Sequence, residues 1–232
     1  MANFGFSRLA VVAPYAPHWR EARSAIGAPD LLQVAKETES LAEAIEECAL
    51  VLGTGTLTHR KPEQQVISLP SLAPLIRRQL IEGGRVAVVF GPEKHGLTRE
   101  DLSYCHVLVE IPTDARQPSM NLGQAVAVCL YELATRVFSN TQTPSEEIPN
   151  QAENVPPAAT SGNLDTLAKL IEQAMAASDY SPRAMQPANR HDLRLLLRRL
   201  HLNLADTRRA LGLFRRILWR IEREQQQDGL PR

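Results

Sequence analysis

Apolar and polar positions along the first 137 residues alternate between short apolar runs and amphipathic stretches. Leu9–Ala13, Leu31–Val34, Ala49–Leu52, Arg85–Phe90 and Val107–Ile111 read as strands. The runs near 9–13, 49–52 and 86–90 lack strict alternation, as expected of parallel strands covered on both faces. Between them, Ser40–Glu47 has a serine cap and helical spacing of Leu41, Ala44 and Ile45. Leu72–Glu82 predicts another helix, closed by Gly83-Gly84. A long apolar helix follows from Asn121, with Leu122, Ala125, Val126, Cys129, Leu130 and Leu133 covering nearly its whole circumference, which predicts burial. Alternating strands and helices imply an α/β sheet with crossover helices.

The pattern changes at Asn140. Residues 140–162 contain Pro144, Pro149, Pro156 and Pro157, no lysine or arginine, and many small polar residues, which reads as a flexible linker. Beyond it, Leu164–Ala177, Asp192–Leu202 and Thr207–Glu224 read as amphipathic helices. In the last, Leu211, Phe214, Ile217, Leu218 and Ile221 form the apolar stripe and arginines fill the opposite arc. The expected organisation is an α/β domain over 1–139, a linker over 140–162 and a small all-α basic domain over 163–232.

The net charge of +0 conceals an asymmetry. Eleven arginines lie between Arg183 and Arg223, and only Asp192, Asp206 and Glu222 oppose them, leaving a formal +8. Such a segment points to a polyanionic partner, the alternative being a solvated helix face. Arg190, Arg194, Arg198, Arg199, Arg208, Arg209, Arg215 and Arg216 are the candidate contacts to such a partner. Cys48, Cys105 and Cys129 are widely spaced, without CxxC or His-linked metal spacing, and read as buried thiols of a reducing compartment. No apolar run reaches the length of a membrane span, and the start lacks the features of a signal peptide, so the expected location is the cytoplasm.

Ligands of open α/β sheets bind beyond the carboxyl ends of strands. Three loops occupy such positions: Gly53-Thr-Gly-Thr56, Gly91-Pro-Glu93 and Pro112–Met120. Glycines at 53, 55 and 91 allow close backbone approach, or simply make turns. Neither GxxxxGK[ST] nor GxGxxG occurs, so no phosphate cradle is indicated.

The blocks FGPEKHGL, VEIPT and SMNLGQAVAV, in this order, closely resemble motifs 2 and 3 of the SpoU branch of the SPOUT RNA methyltransferases. The resemblance implies a parallel sheet with a C-terminal trefoil knot, S-adenosylmethionine as methyl donor, and a homodimer through the 121–137 helix. It places the donor beside Thr54, Gly55, Thr56, Gly91, Ile111, Pro118, Ser119 and Met120. It makes Glu93, Ser119 and Asn121 the candidate catalytic residues, with Ser119 or Asn121 capping the helix; His95 lies in the same block. No metal is implied.

The family's motif 1 strand, Asn-Gly turn and arginine-bearing helix, about two dozen residues at ordinary element lengths, have no counterpart before Asn3–Leu9 here. Arg8 lies just past the matching helix. The expectation is an N-terminally truncated domain lacking its first strand, with impaired activity. The polar stretch followed by basic helices resembles the TrmJ-type tRNA 2′-O-methyltransferases, which implies tRNA as partner, with position 32 of the anticodon loop as target and neither DNA nor membrane involved. The alternatives are a ribosomal RNA 2′-O-methyltransferase of the same family and a catalytically impaired RNA-binding protein on this fold.

Overall fold

The computed structural model describes residues 1–16, 18–21, 29–55, 62–138, 156–180 and 182–228. In chain order the elements are β1 (Ala10–Val12), α1 (Pro29–Gln33), β2 (Lys36–Thr38), α2 (Leu41–Ala44), β3 (Cys48–Thr54), β4 (Gln65–Ser68), α3 (Ala73–Ile81), β5 (Arg85–Val89), α4 (Arg99–Ser103), β6 (Val107–Glu110), α5 (Leu122–Leu133), α6 (Ser161–Ala177), α7 (Gln186–Arg199) and α8 (Leu204–Asp228). A π-helical turn, Ala134–Phe138, prolongs α5.

Four strands form a parallel sheet in the order β4-β6-β3-β5. Gly53 of β3 stands opposite Val89 of β5 on one side and Leu108 of β6 on the other. The ends of β3, β5 and β6 therefore reach one edge of the sheet together. Leu50, Leu52, Val107 and Val109 pack under α3 and α5, against Leu72, Ile76, Cys129 and Leu133. Val51, Cys105 and Leu108 face the other way, onto Ile45, Leu41 and Leu102. Burial on both faces explains why the strands show no alternation.

β1 and β2 make a separate two-stranded parallel pair. Here the structure corrects one reading: 31–34 is not a strand. Pro29 and Asp30 open a helical turn there, Val34 is 74% exposed, and the strand is the polar Lys36–Thr38. Strand β4 went unread because it offers only Val66 and Ile67 as apolar residues, at the edge of the sheet. Among the described residues no helix is long and apolar enough to cross a membrane.

The C-terminal helices form their own core from Leu167, Ala168 and Leu197, with Ile171, Leu193, Leu211 and Phe214 around it. They are also docked onto the α/β layer. Arg198 is 1% exposed and donates from Nε to the Tyr104 carbonyl (2.8 Å) and from Nη2 to Asp165 (3.0 Å). Arg194 lies 4.3 Å from the Tyr104 ring centroid and pairs with Glu100. Residues 156–162, expected to be linker, are part of the fold. Residues 139–155 lie outside the described residues. Within the rest, Ala158 bridges Asn203, Thr160 caps α6 through the Asn163 amide, and the Gly162 amide donates to the Glu46 carbonyl (3.0 Å).

Candidate active site

Three loops leave the carboxyl ends of β3, β5 and β6 and converge on a cleft of about 290 Å3. The volume lies at the lower end of small-molecule sites. Thr54 and Gly55, residues 90–97, and Glu110, Ile111, Thr113 and Pro118–Met120 line it, with Leu122 and Ala125 of α5. Of the expected donor-binding residues, Thr54, Gly55, Gly91, Ile111, Pro118, Ser119 and Met120 all reach this cleft. Thr56 lies outside the described residues. Glu110, Thr113 and Phe90 also line it and were not singled out from the sequence. All three lie inside the quoted blocks FGPEKHGL and VEIPT, at or just beyond the strand ends. A larger cleft of about 540 Å3, lined by Glu46, Glu82, Arg85 and Asn163, lies at the amino ends of β3 and β5, away from these loops.

Each loop is held by identifiable bonds. Thr54, nearly buried, donates its hydroxyl to the Val89 carbonyl at 2.9 Å, tying the end of β3 to β5. The Gly96 amide donates to the Pro92 carbonyl at 2.8 Å, and Gly96 has φ 65°, so 91–97 folds back on itself. A Cβ on Gly91 would lie 2.2 Å from the Gly96 carbonyl carbon and 2.3 Å from the Leu97 nitrogen. Gly91 is thus required by its own loop, in line with the turn reading of this glycine. Gly55 is the opposite case. A Cβ there would meet nothing within 4 Å, so the space over this backbone is open towards the cleft. Gly53, whose Cβ would sit 2.6 Å from Cys105 Sγ, is glycine for packing.

Two motif residues meet beside the cleft. Asn121 Nδ2 donates to Glu93 Oε1 at 3.0 Å, while Asn121 Oδ1 accepts from the Gly123 amide at 2.9 Å and the Gln124 amide at 3.4 Å. Asn121, rather than Ser119, is therefore the cap of α5. One side chain both starts the helix and fixes the glutamate of a loop 28 residues earlier. Ser119 is exposed on the cleft lining, and its hydroxyl makes no bond to another described residue. His95 is exposed on the same rim. On the third loop Thr113 donates to the Pro118 carbonyl (3.4 Å), and Arg116 beside Asp114 holds that carboxyl below its usual range.

Apolar side chains (Phe90, Ile111, Met120, Leu122), two carboxylates (Glu93, Glu110) against one ammonium (Lys94), and backbone of three loops line one cavity. Such a set suits a ligand with a flat apolar part, polar edges and a positive charge. It therefore fits S-adenosylmethionine. The thiols take no part. Burial pushes Cys105 up to about 12 and Cys129 up to about 11, so both stay protonated. His106 is also structural. Its Nδ1 accepts from the Val51 amide at 3.1 Å, and burial lowers its pKa to about 3.

The eight arginines expected to contact RNA divide. Arg198 is buried and spent on Tyr104 and Asp165, so it is a structural residue and not an RNA contact. Arg194, paired with Glu100 and stacked on Tyr104, has only 14% of its side chain exposed. Arg190 is bound to Glu172 (3.0 Å) and Arg199 lies 3.7 Å from Glu63, each about half exposed. Arg208, Arg209, Arg215 and Arg216 stand exposed on α8.

Comparison with known proteins places this arrangement. Residues 1–131 match the family model of the SpoU rRNA Methylase family. The tRNA (cytidine/uridine/adenosine-2'-O-)-methyltransferase TrmJ of Pseudomonas aeruginosa (strain UCBPP-PA14) is 31% identical, over 94% of this chain and 84% of that protein. The tRNA (cytidine/uridine-2'-O-)-methyltransferase TrmJ of Pectobacterium atrosepticum is 29% identical, over 96% and 88%. The crystal structure of TrmJ from Z. mobilis ZM4 superposes with a TM-score of 0.76 at 26% identity, covering 94% of this chain and 89% of that one. A match over more than half the chain, with the motif 2 and motif 3 residues brought to one cleft, shows that the chain belongs to the SpoU rRNA Methylase family.

Proposed function

We propose that this chain transfers a methyl group from S-adenosylmethionine to a ribose 2′-hydroxyl of tRNA, with the anticodon loop, position 32, as the target. The observation that carries this reading is the convergence of Thr54–Gly55, Gly91–Leu97 and Glu110–Met120 on one cleft. The relatives named above supply the substrate class. When bound, S-adenosylmethionine supplies a methyl group activated by its positively charged sulfur.

The protein's own part is positioning and proton handling. Methyl transfer to an alcohol is an in-line displacement, which requires the accepting oxygen to be held near the methyl carbon and relieved of its proton. Thr54, Gly55, Gly91, Ile111, Pro118 and Met120 hold the donor. Ser119, exposed on the cleft lining, orients the 2′-hydroxyl. Glu93, steered by Asn121, offers a carboxylate on the same rim. Exposed arginines of α8 bind the phosphates of the RNA. A second copy of the chain covers α5, whose outer face leaves Val128 38%, Tyr131 56% and Phe138 53% exposed.

The test is methyl incorporation from labelled donor into tRNA transcripts, followed by mapping of the alkali-resistant linkage that a 2′-O-methyl leaves. Incorporation into the anticodon loop, lost in Glu93→Gln, is expected. Transfer only to ribosomal RNA fragments, the substrate class in the family's name, would replace tRNA with that class. Donor binding without transfer to either RNA would favour a catalytically impaired RNA-binding protein.

A further inference from the structure

Helix α8 has one packed face and one face given over to charge. Thr207, Ala210, Leu211, Phe214, Leu218 and Ile221 recur at intervals of three or four and turn towards the other helices, none of them fully exposed. At 100° per residue, Arg216 and Arg223 fall on the far side and Arg208 and Arg215 on the adjoining flank. None of these four forms an ion pair with a described residue, whereas Arg209 and Arg220 are paired with Asp206 and Glu224.

Trp219 sits in the middle of that arginine arc, 42% exposed. It cannot be there to complete the core, which lies on the other side of the helix. The Arg216 guanidinium is 4.2 Å from its ring centroid and that of Arg223 is 5.3 Å away. A large aromatic surface beside two cations is poorly suited to an apolar protein partner. It is well suited to a polyanion that also carries flat aromatic groups. Unpaired nucleotides have both, and duplex does not expose its base faces. We propose that Trp219, with Arg216 and Arg223, is a stacking platform for an unpaired base of the RNA substrate. This inference rests on the reading of α8 as an RNA-binding surface and adds how that surface distinguishes a loop from a stem.

The chain has 2 tryptophans, so a Trp19→Phe background isolates the emission of Trp219. Full-length protein is titrated with an anticodon stem-loop RNA and with a duplex of equal phosphate count. The stem-loop should quench Trp219 and bind about tenfold more tightly than the duplex. Trp219→Ala should abolish that preference while leaving the salt dependence unchanged, and Trp219→Phe should restore part of it. Thermal unfolding of each variant confirms folding, which the exposed position favours. Equal affinity for the two RNAs, no quenching, or an unaffected Trp219→Ala protein overturns the platform alone. If the double variant Arg215→Ala, Arg216→Ala binds both RNAs as tightly as the parent, the RNA-binding reading of α8 falls, and the platform with it. Equally strong binding of polyglutamate of matched charge would show a face selected by charge only, and overturns the platform.

Discussion

Arg198 and Tyr104 join the two parts of the molecule: the guanidinium Nε of Arg198, on α7, donates to the Tyr104 carbonyl just after α4, at 2.8 Å and with the arginine 1% exposed. The same guanidinium pairs with Asp165, whose side chain is 13% exposed. Helix α4 begins directly after the 91–97 loop, so the helical extension is anchored next to a wall of the cleft.

Arg198→Ala leaves a nearly buried carboxylate and a carbonyl without partners, which costs about 3–5 kcal/mol. Thermal unfolding should show a large drop in midpoint. Arg198→Lys should recover only part of it, since a single ammonium cannot span Tyr104 and Asp165 as a planar fork does. A midpoint unchanged in Arg198→Ala would show that the docking contributes nothing to stability.

Gly55 and Gly91 should separate ligand approach from loop geometry. Gly55→Ala places a methyl group in open space, so stability should stay within about 0.5 kcal/mol while S-adenosylmethionine affinity falls about tenfold or more. Gly91→Ala should lose both, because its Cβ meets backbone at 2.2 Å. Calorimetric titration beside thermal unfolding reads the two effects. Full affinity in Gly55→Ala would place the donor away from the 54–55 backbone.

Glu93→Gln keeps an oxygen for Asn121 Nδ2 and removes only the charge. Folding should be unaffected and methyl transfer should drop at least tenfold. Asn121→Ala instead removes the cap of α5, at a cost of about 1 kcal/mol, together with the anchor of Glu93, so both stability and turnover should fall. A Glu93→Gln enzyme with parental turnover would leave the proton to Ser119 or His95.

His106 is held neutral in the fold, with its pKa lowered to about 3 by burial, and with Arg198 and His201 adding to the shift. The unfolded chain takes up a proton near pH 6.5 and the folded chain does not. Stability is therefore complete above that pH and declines as pH falls towards 3, by about 1.4 kcal/mol per pH unit for this one proton. Urea unfolding between pH 7 and 5 should show this slope, and His106→Asn should flatten it by that amount. An unchanged slope in the variant would assign the pH dependence to other groups.

Tyr131→Asp should dissociate the proposed dimer, because it puts a charge on the exposed apolar face of α5 beside Val128. Sedimentation should then report a monomer with the helical content of the parent. A parental protein that already sediments as a monomer at micromolar concentration would remove the dimer from the account.

Local signals carried much of this structure. Apolar runs of strand length, a serine cap at 40 and the paired glycines at 83–84 reflect forces acting within a few residues, and the helices and buried strands followed from them. The three loops of the cleft were legible because strand ends in a parallel sheet leave their loops on one edge. The sequence by itself thus determined the buried strands and the long helices, the cleft loops and the charge of the extension, but not the helical turn at 31–34 or the strands β2 and β4. Tertiary structure decided which arginine is buried against Tyr104 and which faces solvent, and that Gly91 answers to Gly96. It also decided that Asn121 answers to Glu93 and that the described residues leave Val128 and Tyr131 of α5 exposed. Periodicity records which face of an element is apolar, but the partner of that face comes from a remote part of the chain. A buried arginine and a solvated one therefore look alike until the surfaces meet.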